Sequence, residues 1–370
     1  MNKIKKIISF FSLAGILALG ACTDVETIEI EHIGGKNTQN DAESEAYYAN
    51  LRAYKQQAVN YGRPVAFGWF SNWAPTGAYR RGYLSSLPDS MDIVSMWSGA
   101  PTRFEITPEQ KADKEFAQKV KGLKCLEVTL LSYLGKGRTP ASVYEEVEKK
   151  ATEEQWPVSK LEEEKKKARW AFWGFDGQFE SKSHYEALSR FAKALADSLV
   201  ANDWDGYDID WEIGSGVFDM DGTLSSNKHI IHVVKEMNKY MGPHSDPEGK
   251  GHKLICIDGR IDGLLTELDG YVDYWILQSY GRVDRVDTYP VDPKKFIITE
   301  NFEQYAVTGG QLLKQAEYMP SHSFKGGVGA YRLDNDYNNA PDYKWMRQAI
   351  QINQKVFNEW KEKQAGKENQ

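Results

Sequence analysis

The chain has 370 residues, with 46 lysines and arginines against 53 aspartates and glutamates, for a formal net charge of −7. At 41% hydrophobic, 27% charged and 12% aromatic residues it holds enough apolar material for a sizeable core, which excludes a disordered, collagen-like or disulfide-stapled chain. No long basic stretch offers a surface for displacing phosphate counterions, so nucleic acid is not an expected partner.

The first element is a basic MNKIKK followed by apolar IISFFSLAGILALG, a stretch too short to cross a bilayer comfortably. It ends in Leu19-Gly20-Ala21-Cys22, which resembles a bacterial lipoprotein signal. That resemblance implies a signal peptide over residues 1–21, cleavage before Cys22 and a lipid on Cys22; an ordinary secretory leader is the alternative. Cleavage removes Lys3, Lys5 and Lys6 and no acid, taking the net charge from −7 to −10. Residues 22–45 are acidic, then polar, without core periodicity, and read as a tether holding a domain off a membrane. The acids close behind Cys22 are similar to surface-export signals of Bacteroidetes lipoproteins, which implies a lipid-anchored protein of the outer membrane, facing the cell surface.

Beyond the tether, runs rich in β-branched and aromatic residues recur: VAFGWF (65–70), MDIVSMW (91–97), LEVTLLSYLG (126–135) and GYDIDWE (206–212). They continue as LICIDGR (254–260), VDYWILQSYG (272–281), FIITENF (296–302) and GGVGAYRLD (326–334). Strands apolar on both faces and alternating with helices predict a parallel sheet, and eight of them predict a single (β/α)8 TIM barrel of the α/β class. The barrel is expected over residues 46–365, with 366–370 as a tail.

Between the strands, 183–203 places Tyr185, Leu188, Phe191, Leu195 and Leu199 at helical spacing, and Asn227 to Tyr240 behaves similarly. The charge-dense stretch 144–170 predicts a helical insertion between the third and fourth strands, solvated and laced with i,i+4 ion pairs. Trp170, Phe172, Trp173 and Phe175 follow it, core packing being the expectation and a sugar platform the alternative. Cys125 and Cys256 sit in apolar runs with no cysteine framework around them, so two buried free thiols are expected rather than a disulfide. The seven histidines form no HExxH or CxxC-type cluster, and no metal is expected.

The chemistry gathers in Asp205-Gly206-Tyr207-Asp208-Ile209-Asp210-Trp211-Glu212. Side chains alternate along a strand, so Asp208, Asp210 and Glu212 share one face, while Tyr207, Ile209 and Trp211 share the other. In a barrel the apolar set faces the helices and the acids face the interior. Acids so close cannot all ionise easily, and at least one is expected to hold its proton well above the ordinary carboxylate range. A protonated acid beside an ionised carboxylate suits glycosidic cleavage. Asp205 precedes the strand and reads as a brace for the turn.

DGYDIDWE resembles the DGxDxDxE signature of glycoside hydrolase family 18, barrel enzymes that include chitinases and endo-β-N-acetylglucosaminidases. LLSYLGKG (130–137), QSYG (278–281) and GGVGAYRLDND (326–336) are similar to further strand motifs of that family, with Tyr331 standing where chitinases usually place tryptophan. The resemblance covers most of residues 60–340. It implies substrate-assisted, retaining hydrolysis without a cofactor. By the same resemblance Glu212 acts as acid and then base, Asp210 orients the 2-acetamido group and Asp208 tunes Asp210. Tyr280 donates to the acetamide oxygen, with Gln278 nearby.

The stretch NFEQYAVTGGQLLKQAEYMPSHSF (301–324), from the end of the seventh strand run to just before the eighth, leaves no room for the large insertion that walls many chitinase grooves. An open site suits a branched glycan cut within its N,N′-diacetylchitobiose core, so the expected activity is endo-β-N-acetylglucosaminidase on N-glycans or glycoproteins. Chitinase action and a non-catalytic glycan-binding barrel are the alternatives. Further sugar contacts are expected at strand C-termini, from Trp69, Trp73, Trp97, Tyr133 and Tyr331, with Glu300 and Asn301 at the end of the seventh strand. The chain is expected to act as a monomer.

Overall fold

The computed structural model describes residues 41–97, 106–213, 221–246, 248 and 251–368. The expected leader, Cys22 and the tether as far as residue 40 lie outside the described residues. The chain divides into two compact units, Met1–Tyr47 and Tyr48–Gln370, and the barrel belongs to the second.

Helix α1 (Asp41–Gln56) is followed by β1 (Val65–Phe70), β2 (Ile93–Met96), α2 (Pro108–Glu115) and β3 (Lys124–Leu130). Next come α3 (Ser142–Glu153), α4 (Val158–Trp173), α5 (Lys182–Ala201), β4 (Gly206–Trp211) and α6 (Asn227–Met237). The second half runs β5 (Leu254–Gly259), α7 (Leu265–Leu268), β6 (Tyr274–Leu277), β7 (Phe296–Asn301), α8 (Phe302–Tyr305), α9 (Leu312–Glu317), β8 (Gly327–Tyr331) and α10 (Lys344–Glu368). The strands pair in chain order, all parallel, and β8 closes on β1 from Val65↔Gly327 to Gly68↔Ala330. The fold is therefore the expected closed eight-stranded barrel. Between β7 and β8 stand only two short helices, α8 and α9.

Alternation along each strand sorts side chains into two layers. Tyr207, Ile209 and Trp211 point outward and pack with Leu188, Phe191, Leu195 and Leu199 of α5 and Ile230, Val233, Val234 and Met237 of α6. Each such large apolar side chain contributes about 1.5–3 kcal/mol by leaving water, so this layer fixes β4 firmly. The inner layer holds Phe67, Trp69, Ile93, Leu126, Val128, Cys256, Tyr274, Ile276 and Ile297. β8 supplies glycines here because Phe67 needs the room: a Cβ on Gly329 would meet the Phe67 backbone oxygen at 2.6 Å and its ring at 2.9 Å. Cys125 and Cys256 are free and buried, as expected.

A repeated device braces the N-terminal rim. Asp92, Asp205 and Asp273 each stand one residue before an even-numbered strand and accept the backbone N–H of Ala66, Cys125 and Ile255 on the preceding odd strand, at 2.8, 2.9 and 2.8 Å. Their charges are met by Arg63, by Lys124, and by His252 respectively. Asp205 is thus the expected brace.

The insertion differs from the single helix expected over 144–170. It is a hairpin of α3 and α4, because Pro157 has no N–H for a continuing helix and holds the residue before it out of helical geometry. Lys165 reaches across to Glu148, and Lys149–Glu153, Lys166–Glu163 and Lys167–Glu164 line the exposed faces, giving the expected ion-pair lacing at both i,i+4 and i,i+3 spacing. Trp170, Trp173 and Phe175 pack with Phe179, His184 and Phe191, whereas Phe172 is 49% exposed.

Candidate active site

Barrel sites form where strands end, and the inward face of β4 carries Asp208 and Asp210 to that end, with Glu212 one residue beyond Trp211. Asp208 is fully buried, and its Oδ2 accepts from Trp69 Nε1 at 2.9 Å and Ser95 Oγ at 2.6 Å. Burial pushes its carboxyl up to about 6, against the pull of those two donors. Asp210 is pushed up to about 7, by burial first and then by the negative charges of Glu212 and Asp208, a hydrogen bond with Asp258 opposing the rise. The expectation that the acids could not all ionise at ordinary pH holds.

The partner of Asp210 is a residue that sequence reasoning missed. Strand register sets Asp210 level with Asp258 of β5, and Asp258 is 2% exposed. Burial and the nearby charges of Asp210 and Asp208 hold its carboxyl well above the usual carboxylate range. A signal was available: Asp258 shares a strand face with Cys256, in a run next to the one that carries the acids.

Tyr280 follows β6 and lies close enough for Asp258, Asp210 and Glu212 to act on its phenol, which burial chiefly keeps protonated. Its ring stacks on Tyr331 at 6.1 Å and 30°. Tyr331 in turn meets Trp69 edge-on at 6.2 Å and Trp97 at 5.9 Å. Gln278 Nε2 donates to Glu212 Oε1 at 3.4 Å. Three acids thus form a floor, four aromatic rings a wall, and Gln278 with Glu212 the rim. Such an arrangement offers aromatic rings for a pyranose, a neutral phenol donor, and carboxyl groups that differ in protonation.

Residues 23–352 match a family model described as glycoside hydrolase family 18, BT1044-like. The chain belongs to glycoside hydrolase family 18. Among solved structures, a selenomethionine form of BT1044 with one glutamate changed to glutamine is 28% identical, with a TM-score of 0.67 over 85% of this chain and 94% of that one. An endo-β-N-acetylglucosaminidase from Cordyceps militaris, solved as a double mutant with fucosyl-N-acetylglucosamine-Asn, is 19% identical, with a TM-score of 0.56 over 83% and 95% of the two chains. No curated protein sequence matches.

Within this family 18 barrel, several residues expected to touch sugar do other work. Trp73 is buried away from the aromatic wall, donates to Asp113 Oδ2 at 3.0 Å and meets Trp204 edge-on, so it anchors the segment after β1 onto α2. Glu300 is fully buried, and its carboxylate accepts the backbone N–H of Gly281, Asn301 and Gln311. It braces the turn that carries Tyr280. Asn301 caps α8 through its Oδ1, which accepts from Glu303 N at 2.8 Å. Tyr133, just beyond β3, has the Arg169 guanidinium 4.2 Å and the Lys136 ammonium 4.8 Å from its ring centre.

Among the described residues one group has metal-like spacing, Glu180, His184 and His229. Its ring nitrogens are already engaged. His184 Nδ1 accepts from Glu180 N and Nε2 donates to Thr223 O, while His229 Nδ1 accepts from Ser225 N and Nε2 donates to Glu180 Oε1. The group ties the starts of α5 and α6 together and leaves neither imidazole a lone pair for an ion.

Proposed function

We propose that this glycoside hydrolase is a retaining endo-β-N-acetylglucosaminidase that cuts the N,N′-diacetylchitobiose core of N-glycans with help from the substrate's own acetamide. The observation that carries the reading is the set of inward carboxyls, Asp208 and Asp210 on β4 and Glu212 just beyond it, facing Tyr280 and Gln278. In the first step Glu212 gives a proton to the glycosidic oxygen while the acetamide oxygen attacks the anomeric carbon of the same sugar, forming an oxazolinium ring on the glycan side and releasing the asparagine-linked N-acetylglucosamine as the leaving group. Asp210 accepts the acetamide N–H and offsets the positive charge that develops on the ring. Tyr280 donates to the acetamide oxygen and aims it at the anomeric carbon. Glu212, now ionised, then takes a proton from water as it opens the ring from the opposite face. Two inversions give net retention.

The short β7–β8 connection favours a branched N-glycan over a single polymer threaded through a walled groove. Side-by-side incubation of the purified protein with N-glycosylated proteins and chitin oligomers, read by mass spectrometry, tests this choice. The expected result is glycoprotein left with one N-acetylglucosamine on asparagine. Cleavage of chitin oligomers alone would make the protein a chitinase, and glycan retention without cleavage would make it a binding protein.

A further inference from the structure

The floor of the site holds one more acid than the β4 pattern supplies. Asp258 lies level with Asp210 across the β4–β5 ladder, with Ile276 of β6 level with it on the other side. The groups facing it are Asp208, Asp210 and Glu212 from β4, Tyr280 beyond β6, and the thiol of Cys256 on its own strand. Asp210 and Asp258 share a hydrogen bond, which two carboxyl groups form only if one keeps a proton. Oδ1 of Asp208, of Asp210 and of Asp258 is each buried without a protein partner. A cluster this short of donors cannot carry four negative charges.

We propose that Asp258 is a positioning residue that carries the retained proton and donates it to Asp210, holding Asp210 ionised and fixed in direction while itself staying clear of the sugar. The assignment deepens the hydrolase reading and takes its chemical meaning from it. Burial makes Asp258 the natural proton holder: Asp210 gains by accepting the hydrogen bond, and the same bond raises Asp258. As the oxazolinium forms, Asp210 needs its full charge, and a neutral donor behind it supplies direction without competing charge.

The test is a carboxyl-carbon NMR titration of the full chain labelled at aspartate, in the wild type, Asp258→Asn and Asp258→Ala, alongside pH profiles of kcat/KM. In the Asn variant the amide N–H still donates to Asp210 but carries no ionisable proton. Asp210 should then titrate close to its wild-type value, the acidic limb of activity should stay in place, and kcat at the optimum should stay within about threefold. In the Ala variant the donor is gone, so Asp210 should titrate higher, the acidic limb should move up, and kcat near pH 6 should fall by about tenfold or more. An upward shift of Asp210 with Ala that Asn abolishes is not what a merely structural residue produces. Equal upward movement of Asp210 in both variants, a fall of Asp210 in the Asn variant, or a wild-type Asp258 that titrates in the ordinary carboxylate range would overturn the assignment. Should the wild type cleave no glycoside, the hydrolase reading falls, and the titrations, which need no substrate, decide the Asp258 assignment by themselves.

Discussion

Asp208 receives two hydrogen bonds, from Trp69 and Ser95, and burial still raises its carboxyl to about 6. A carboxyl raised on folding costs stability at high pH. The cost is absent below the unfolded value near 4, grows as pH rises, and is complete above the folded value. Asp208→Asn keeps an oxygen for Trp69 and Ser95 and removes the charge. We therefore expect the variant to gain stability over the wild type as pH rises from about 4 to about 7, by on the order of 1–3 kcal/mol at the upper end. Denaturation midpoints at the two pH values check this, and an equal offset at both would contradict it. Glu212 is expected to behave differently, because its proton matters only as the bond breaks. Glu212→Gln should leave Tm and glycan affinity near wild type while kcat falls by about 10²–10⁴. Calorimetric binding beside turnover measures both, and unchanged turnover would remove Glu212 from the mechanism.

At the scale of elements, the three rim aspartates join neighbouring strands by one charge-assisted bond each, and only the β5–β6 copy uses a histidine. Its hydrogen bond to Asp273 Oδ1 at 2.7 Å raises His252, with Asp273 and Asp246 adding charge. A base raised on folding stabilises most below its unfolded value near 6.5, and the contribution is lost as pH climbs through the folded value. The Tm gap between wild type and His252→Gln should be widest near pH 5.5 and narrow by about pH 8.5. A gap that widens with pH would contradict the pairing. These elements also show which parts of the fold were readable. Strands buried on both faces appear as unbroken apolar runs, so all eight could be located in advance. The split of the insertion at Trp156-Pro157 was equally legible in principle, since proline disfavours helix in the residue before it. Trp73 misled because the period-two rule stops where a strand stops, whereas Glu300 lies within β7 on the outward face it shares with Ile298, and Asn301 ends β7 by capping α8. Beyond β1 the direction of a side chain depends on the loop, and Trp73 turns down onto Asp113, while Glu300, still within its strand, meets three backbone amides.

For the whole molecule, barrel closure decides the chemistry. β4 alone shows three acids on one face, but the proximity of Asp258 depends on how β5 is staggered against β4, and Tyr331 reaches Trp69 only because β8 closes on β1. Neither relation is visible in a single strand, which is why the β4 motif could be read early and its fourth acid could not. The proposal extends to the N-terminus, where a lipid on Cys22 would tether the enzyme to the outer membrane. Metabolic labelling with a tagged fatty acid should mark the wild-type chain and not Cys22→Ser, and an unmarked wild type would contradict the anchor.

The central claim is that the substrate's acetamide, held by Asp210, is the nucleophile. Proton NMR of a single N-glycopeptide during the first minutes of cleavage measures this most directly, before the new reducing end mutarotates. The account predicts the β-anomer first, the outcome of two inversions through an oxazolinium ion. Appearance of the α-anomer first would mean direct displacement by water and would contradict it.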